Sequence, residues 1–185
     1  MTKAELRKKL IRALQWAYSG ELAAYHAYEG HWKSVKDPRE KKEIHQIQRD
    51  EWEHRECLAG FLKQLGSAPD IRLEFMFTVI GRTISFLCYL GGWFIPMYGA
   101  GKLESGNIIE YEIAAQWARL CGEDHMIHEF LHMAEVEWDH ELYFRTKAES
   151  HWLYRFFPKW TVPAPRDTIR ERYLTPHVFS EHLGA

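Results

Sequence analysis

Two stretches of this chain repeat one another: Glu51-Trp52-Glu53-His54 and Glu137-Trp138-Asp139-His140 are both glutamate, tryptophan, acid, histidine. Around the first, Ile44, Ile47, positions 51 and 54, Leu58, Phe61 and Leu65 recur at steps of three and four. Around the second the series is Ile127, Phe130, Met133, positions 137 and 140, and Phe144. That is the spacing a helix uses to face a bundle core. Each seam therefore carries a carboxylate and an imidazole one turn apart on its inward face. A chain with charge at such positions must fold so that something answers that charge.

The rest of the pattern is helical too, with no sustained strand alternation. Five helical stretches are expected, at about 3–31, 38–65, 71–98, 103–121 and 124–156. The second has a clear start: Asp37 can cap it, Pro38 fits the first position, and Glu40 can close a capping box. Gly66, with Pro69 beyond, stops it, and Gly122 ends the fourth. From Pro158 on, Pro163, Pro165 and Pro176 forbid a long helix. The expected organisation is an all-α bundle over residues 1–157 and a Pro-rich tail over 158–185, where Trp160, Tyr173 and Phe179 point to packing on the domain. The first residues, MTKAELRKKLIRALQW, read as helix rather than a secretory leader, because no apolar core with a cleavage site follows.

The two remaining bundle helices each offer one glutamate. The seam Leu10, Leu14, Ala17, position 21, Ala24, Tyr28 holds Glu21. In the fourth stretch the seam Leu103, Gly106, position 110, Ile113, Trp117, Leu120 holds Glu110, while Glu112 shares a face with Gln116 and Arg119 and reads as solvated. The order along the chain is then Glu, ExxH, Glu, ExxH, as two related hairpins. One glutamate from each of two helices plus ExxH from the other two is the ligand pattern of ferritin-like di-metal bundles. Divalent iron or manganese would neutralise the buried carboxylates, and mixed oxygen and nitrogen donors suit these ions better than a thiolate-rich zinc site. The expected metal ligands are Glu21, Glu51, His54, Glu110, Glu137 and His140, with the four glutamates at the reacting centre. Asp50 and His132 lie beside the seams, where they could support ligands. Tyr25 and Tyr28 sit near Glu21 as packing or pocket residues.

Composition narrows the function. The net charge of −2, from 24 basic and 26 acidic residues, gives no basic excess for nucleic acid. Three scattered cysteines, Cys57, Cys88 and Cys121, form no CxxC pair and suit a reducing, cytosolic compartment. From Thr83 to Gly101 the chain carries no charge, yet Gly91-Gly92 and Pro96 interrupt the run. This reads as a crossover helix between the hairpins, with an apolar face that dips into a bilayer or admits a long apolar substrate. A buried crossover or a dimer interface is the plainer alternative, and a homo-oligomer fits either.

Several of these segments together resemble the demethoxyubiquinone hydroxylases, the di-iron monooxygenases of ubiquinone biosynthesis. They are Gly20-Glu21-Leu22-Ala23-Ala24-Tyr25 through Tyr28, Asp50 to His54, Gly92-Trp93 with Tyr98-Gly99-Ala100-Gly101, Ile109-Glu110-Tyr111-Glu112-Ile113, and Glu137 to His140. The resemblance covers roughly residues 10–145 and implies a ferritin-like fold. It implies two irons on the six ligands above, with Glu51 or Glu137 bridging. It further implies O2-dependent hydroxylation of a quinone-like lipid with electrons from NADH or a reductase. The protein would be cytoplasmic and peripheral on the inner face of the membrane, touching it through residues 83–101. The charged, proline-rich segment after residue 158 departs from that family, which continues with an apolar helix. Other readings are a rubrerythrin- or ferritin-like iron oxidase or iron-binding protein, a di-iron hydroxylase of another substrate, and a structural bundle.

Overall fold

The computed structural model describes residues 2–174, and among them all regular structure is helical. The helices are α1 (Lys3–Ser34), α2 (Pro38–Gln64), α3 (Ile71–Leu90), α4 (Phe94–Cys121), α5 (Ile127–Glu149) and α6 (Thr168–Leu174). Single 3-10 turns at Asp124–Met126 and Trp152–Phe156 flank α5. The chain divides into two compact units, one of residues Ile11–Met97 and the other of residues up to Leu10 together with those from Tyr98 on. Residues 158–174, the described part of the expected tail, fall in the second of these units. Residues 175–185, with Pro176 and Phe179, lie outside the described residues.

The ends of α2 follow from its sequence. The Asp37 side chain accepts from the Arg39 N–H at 2.7 Å, and Pro38 occupies the first turn. Gly66 adopts φ 66°, and the Ser67 and Gly66 N–H groups donate back to Leu62 and Lys63, closing the last carbonyls. The helix break further on differs from the expected one. The third helix stops at Leu90 rather than near 98, and α4 already starts at Phe94. Gly92 takes φ 63°, which a side chain would resist, and Pro96 falls in the first turn of α4, where its missing N–H costs nothing.

In the Ile11–Met97 unit all seven expected seam residues of α2 are buried, from Ile44 to Leu65. The Arg55 guanidinium lies over the Tyr18 ring at 3.6 Å and pairs with Glu74 of α3, which also accepts from the Ser19 hydroxyl at 2.7 Å. Helix α3 approaches α1 so closely that a Cβ on Gly81 would lie 2.5 Å from the Ala23 carbonyl oxygen. Its other side is open: Ile71, Phe75, Val79, Phe86, Leu87 and Leu90 are exposed, as is Arg82 among them. By length and composition α3 is apolar enough to cross a membrane. The open apolar face thus belongs to 71–90, whereas much of the 94–101 part of the expected 83–101 surface is core, with Phe94, Met97, Tyr98 and Ala100 buried.

In the other unit, Phe130, Met133, Ala134 and Phe144 of α5 are buried with Ile108, Tyr111, Ala115 and Ala118 of α4. At Gly101, Trp160 and Phe144 occupy the space a Cβ would need, at 3.0 and 3.1 Å. Ile169 and Tyr173 of α6 are also buried.

Two predictions follow from packing in the first unit. Gly81→Ala should lower stability by about 1–3 kcal/mol, since backbone rather than a flexible side chain must yield; urea unfolding of the two chains measures it. His31 is buried, and burial pushes its pKa down to about 3. Between the free-histidine value of 6.5 and about 3, the unfolded chain therefore takes up a proton that the folded chain refuses. Stability should fall as pH drops through that window, and His31→Phe should flatten the decline in urea midpoints taken at pH 7 and pH 4.5.

Candidate metal centre

The first unit brings three of the expected ligands together. Glu21 comes from α1, and Glu51 and His54 from successive turns of α2. Each offers one ligand atom within 4.8 Å of the other two. His54 Nδ1 lies 4.0 Å from Glu21 Oε1, and all three side chains are buried, Glu51 completely. The i, i+3 spacing on a helix held by Ile47 on one side and Leu58 on the other aims both α2 groups the same way.

The second unit repeats the arrangement with one change. Glu137 and His140 of α5 are buried, with His140 Nδ1 3.8 Å from Glu137 Oε2. The glutamate that joins them is Glu104, 2% exposed, again with ligand atoms within 4.8 Å of one another. Asn107, one turn on from Glu104, donates its amide to Glu104 Oε2 at 2.8 Å and to Glu137 Oε2 at 3.4 Å.

Glu110 is not in that cluster; it is exposed. The phase assigned to the fourth helix corrects accordingly. Its buried seam is Met97, Gly101, Glu104, Ile108, Tyr111, Ala115 and Ala118. The expected seam lies two residues further along, roughly 200° round the helix. Leu103 and Leu120 on it are 62% and 50% exposed. Glu112 also departs from expectation: it is buried and accepts from Arg172 at 2.6 Å, while buried Gln116 donates to the Tyr173 carbonyl at 3.0 Å. Burial pushes the Glu112 carboxyl up, with Arg172 opposing it. Sequence reasoning missed Glu104 and Asn107 because both faces of α4 are apolar: the buried seam has Met97, Ile108 and Tyr111 beside Gly101, Ala115 and Ala118, and the opposite one has Leu103, Ile113, Trp117 and Leu120.

The neighbouring candidates sort out plainly. Asp50 is half-buried and accepts from Gln46 at 2.7 Å. His132 is exposed and lies 3.9 Å from Glu135. Tyr25 packs its ring on Trp52, and Tyr28 stacks on His31. None of the three cysteines is in a disulfide, and burial raises the Cys88 thiol to about 11, so it stays protonated.

Each triad offers two carboxylates and one imidazole, with no sulfur. Such a set fits a divalent first-row ion, and three protein ligands leave coordination positions for water or a small reactant. A buried pair of carboxylates is also costly without a compensating cation. Compared with known protein families, with curated proteins and with solved structures, the chain matches none.

The exchange of Glu110 for Glu104 is directly testable. Glu104→Ala should abolish or severely weaken binding of one ion in an anaerobic Fe2+ titration, and Glu110→Ala should leave the isotherm unchanged. Asn107→Ala should weaken the same ion by about 10- to 100-fold, the usual effect of losing a group that orients a ligand.

Proposed function

We propose that the chain is a di-iron monooxygenase, with Glu21, Glu51 and His54 as one set of ligands and Glu104, Glu137 and His140 as the other. The observation that carries this reading is the pair of buried clusters, each built from one glutamate and one ExxH turn. Manganese fits the same donors. When bound, the metals would supply O2 activation, with one oxygen atom going to a substrate C–H bond and the other to water, and the two electrons and two protons this needs would come from an external donor by way of the metals. The chain's own residues hold and orient. Glu51 and Glu137, both fully buried, provide charge in a place bulk water does not reach. Asn107 fixes the two carboxylates it bonds, so that neither turns away from an ion.

The proposed substrate is a quinone-like lipid, and the proposed location is the cytoplasmic face of a membrane, with the protein peripheral. The open face of α3 supports this, since Ile71, Phe75, Val79, Phe86 and Leu90 form an apolar surface larger than scattered exposure requires. A helix lying in the interface keeps Arg82 at the headgroup level. The near-neutral net charge speaks against nucleic acid.

Anaerobic reconstitution should load about two Fe2+ per chain. Exposure to O2 with a reductant and a short-chain methoxyquinol should then yield a hydroxylated ring. Glu51→Ala and Glu137→Ala should each lose about one iron and all turnover. Iron binding without hydroxylation, but with oxidation of added Fe2+, would turn the reading toward an iron oxidase; failure to bind iron would sink it.

A further inference from the structure

We propose that residues 157–173 form a strap that holds α5 and α4 in register and so keeps the Glu104–Glu137–His140 cluster placed for an ion. The inference rests on the metal reading for its second half only; the mechanical half concerns the metal-free chain.

The strap runs along α5 and takes hold of it on either side of the ligand residues. Its start is anchored by the Tyr98 hydroxyl, which donates to the Pro158 carbonyl at 2.6 Å while the Tyr98 ring packs against Phe157 and Trp160. The Trp160 indole N–H donates at 2.8 Å to Glu141, a fully buried carboxylate next in sequence to His140 that Arg145 also binds. The Trp138 N–H donates to the Ala164 carbonyl at 2.9 Å, and Arg166 reaches both oxygens of Asp139 at 3.0 and 3.1 Å. Arg170 then makes a two-pronged pair with Glu135 at 2.6 and 2.9 Å. Finally Arg172 and the Tyr173 carbonyl grip Glu112 and Gln116 of α4. Positions 135, 138, 139 and 141 of α5 are thus all tied down, and 137 and 140 between them point at the cluster.

The other ExxH turn is held differently. Arg55, next to His54, pairs with Glu74 and donates to the Tyr18 carbonyl at 2.7 Å, and Gln48 bonds Trp32 and the Tyr25 carbonyl, but the two middle residues of the turn dock no such strap among the described residues. Trp52, the counterpart of Trp138, bonds within its own helix to Glu56 at 3.0 Å and is 40% exposed. Glu53, the counterpart of Asp139, is exposed. The same four-residue text therefore carries a second function in one copy and not in the other: its inward residues are ligands, and its two middle residues dock the strap. A helix held at four points cannot slide or turn without breaking charged pairs, so its ligands stay placed for an ion. Arg166 and Arg170 act here as positioning residues.

The test uses the full chain with Arg166→Ala and Arg170→Ala together, both arginines being well solvated and their loss compatible with folding. In the metal-free protein, amide hydrogen exchange across residues 130–144 should quicken by about tenfold or more while residues 44–61 keep their protection. Replacing both arginines by lysine should restore most of it. In a Mn2+ titration followed by electron paramagnetic resonance, the double alanine variant should weaken one ion by about tenfold and leave the other unchanged. Unaltered exchange in α5, or equal loosening of α2 and α5, would overturn the strap; both ions weakening alike would overturn its hold on the Glu104–Glu137–His140 cluster in particular. If the unaltered protein binds no Mn2+ or Fe2+, the proposed function fails, and the exchange data still decide whether the strap exists.

Discussion

Glutamate on an inward helical seam is the constraint from which the rest of this structure follows. Glu21, Glu51, Glu104 and Glu137 all sit where a bundle helix ordinarily places leucine or isoleucine, and all are 5% exposed or less. Ionised carboxylates so placed are tolerable only with cations or donors around them. The surrounding features serve that need: an imidazole one turn from Glu51 and from Glu137, and an asparagine spanning Glu104 and Glu137. The apolar residues on either side along the seam, Ile47 and Leu58 on α2, Met133 and Phe144 on α5, hold the helices so that the polar groups have no other place to turn.

How far the sequence could be read depended on how unequal the two faces of each helix are. On α2 the outer face is charged, with Lys41, Lys42, Glu43 and Arg49, so only one phase buries apolar residues, and all seven seam positions were legible down to Glu51 and His54. Helix α4 has apolar residues all round. Its outer stripe holds Leu103, Ile113, Trp117 and Leu120, and its inner one Gly101, Ala115 and Ala118. With Met97, Ile108 and Tyr111 also on the inner stripe, hydrophobicity does not decide between the two. Close packing favours the right one, because small residues let another chain segment approach, as Trp160 does over Gly101. Volume, not polarity, set the phase of α4, and Glu104 displaced Glu110 as a consequence.

The helix break and the tail were obscured for a related reason. Two glycine-rich points, Gly91-Gly92 and Gly99 to Gly101, offered a place to end the third helix. The chain turns at the first because the Pro96 ring is harmless in an opening turn but would disrupt a helix running through 91–98. The same residue count that looked like one long apolar helix is then an exposed α3 and a buried start of α4. In the tail, the prolines correctly forbade a long helix, yet α6 still forms after Pro165, where Thr168 begins a short amphipathic stretch that buries Ile169 and Tyr173. Arg166, Arg170 and Arg172 gave no sign of their partners, since ion pairs between segments distant in sequence leave no local pattern.

The near-identity of the two ExxH texts hides a division of labour. In both copies the first and last residues face inward, and helical geometry forces the middle two outward. In α2 those middle residues meet solvent, and Trp52 finds its acceptor a turn away on the same helix. In α5 Trp138 and Asp139 instead hold Ala164 and Arg166. A helix with bound groups on both faces loses less freedom when its ligands close on an ion, because much of the ordering is already present in the folded chain. The two halves of the chain therefore differ in what surrounds the buried Glu/His clusters rather than in the residue types of the clusters themselves. An internal repeat read from the sequence alone predicts equal sites. Arg166, Arg170 and Arg172, which distinguish the surroundings of the second repeat, stand 26 to 32 residues beyond it, in a stretch whose prolines suggest a loose end.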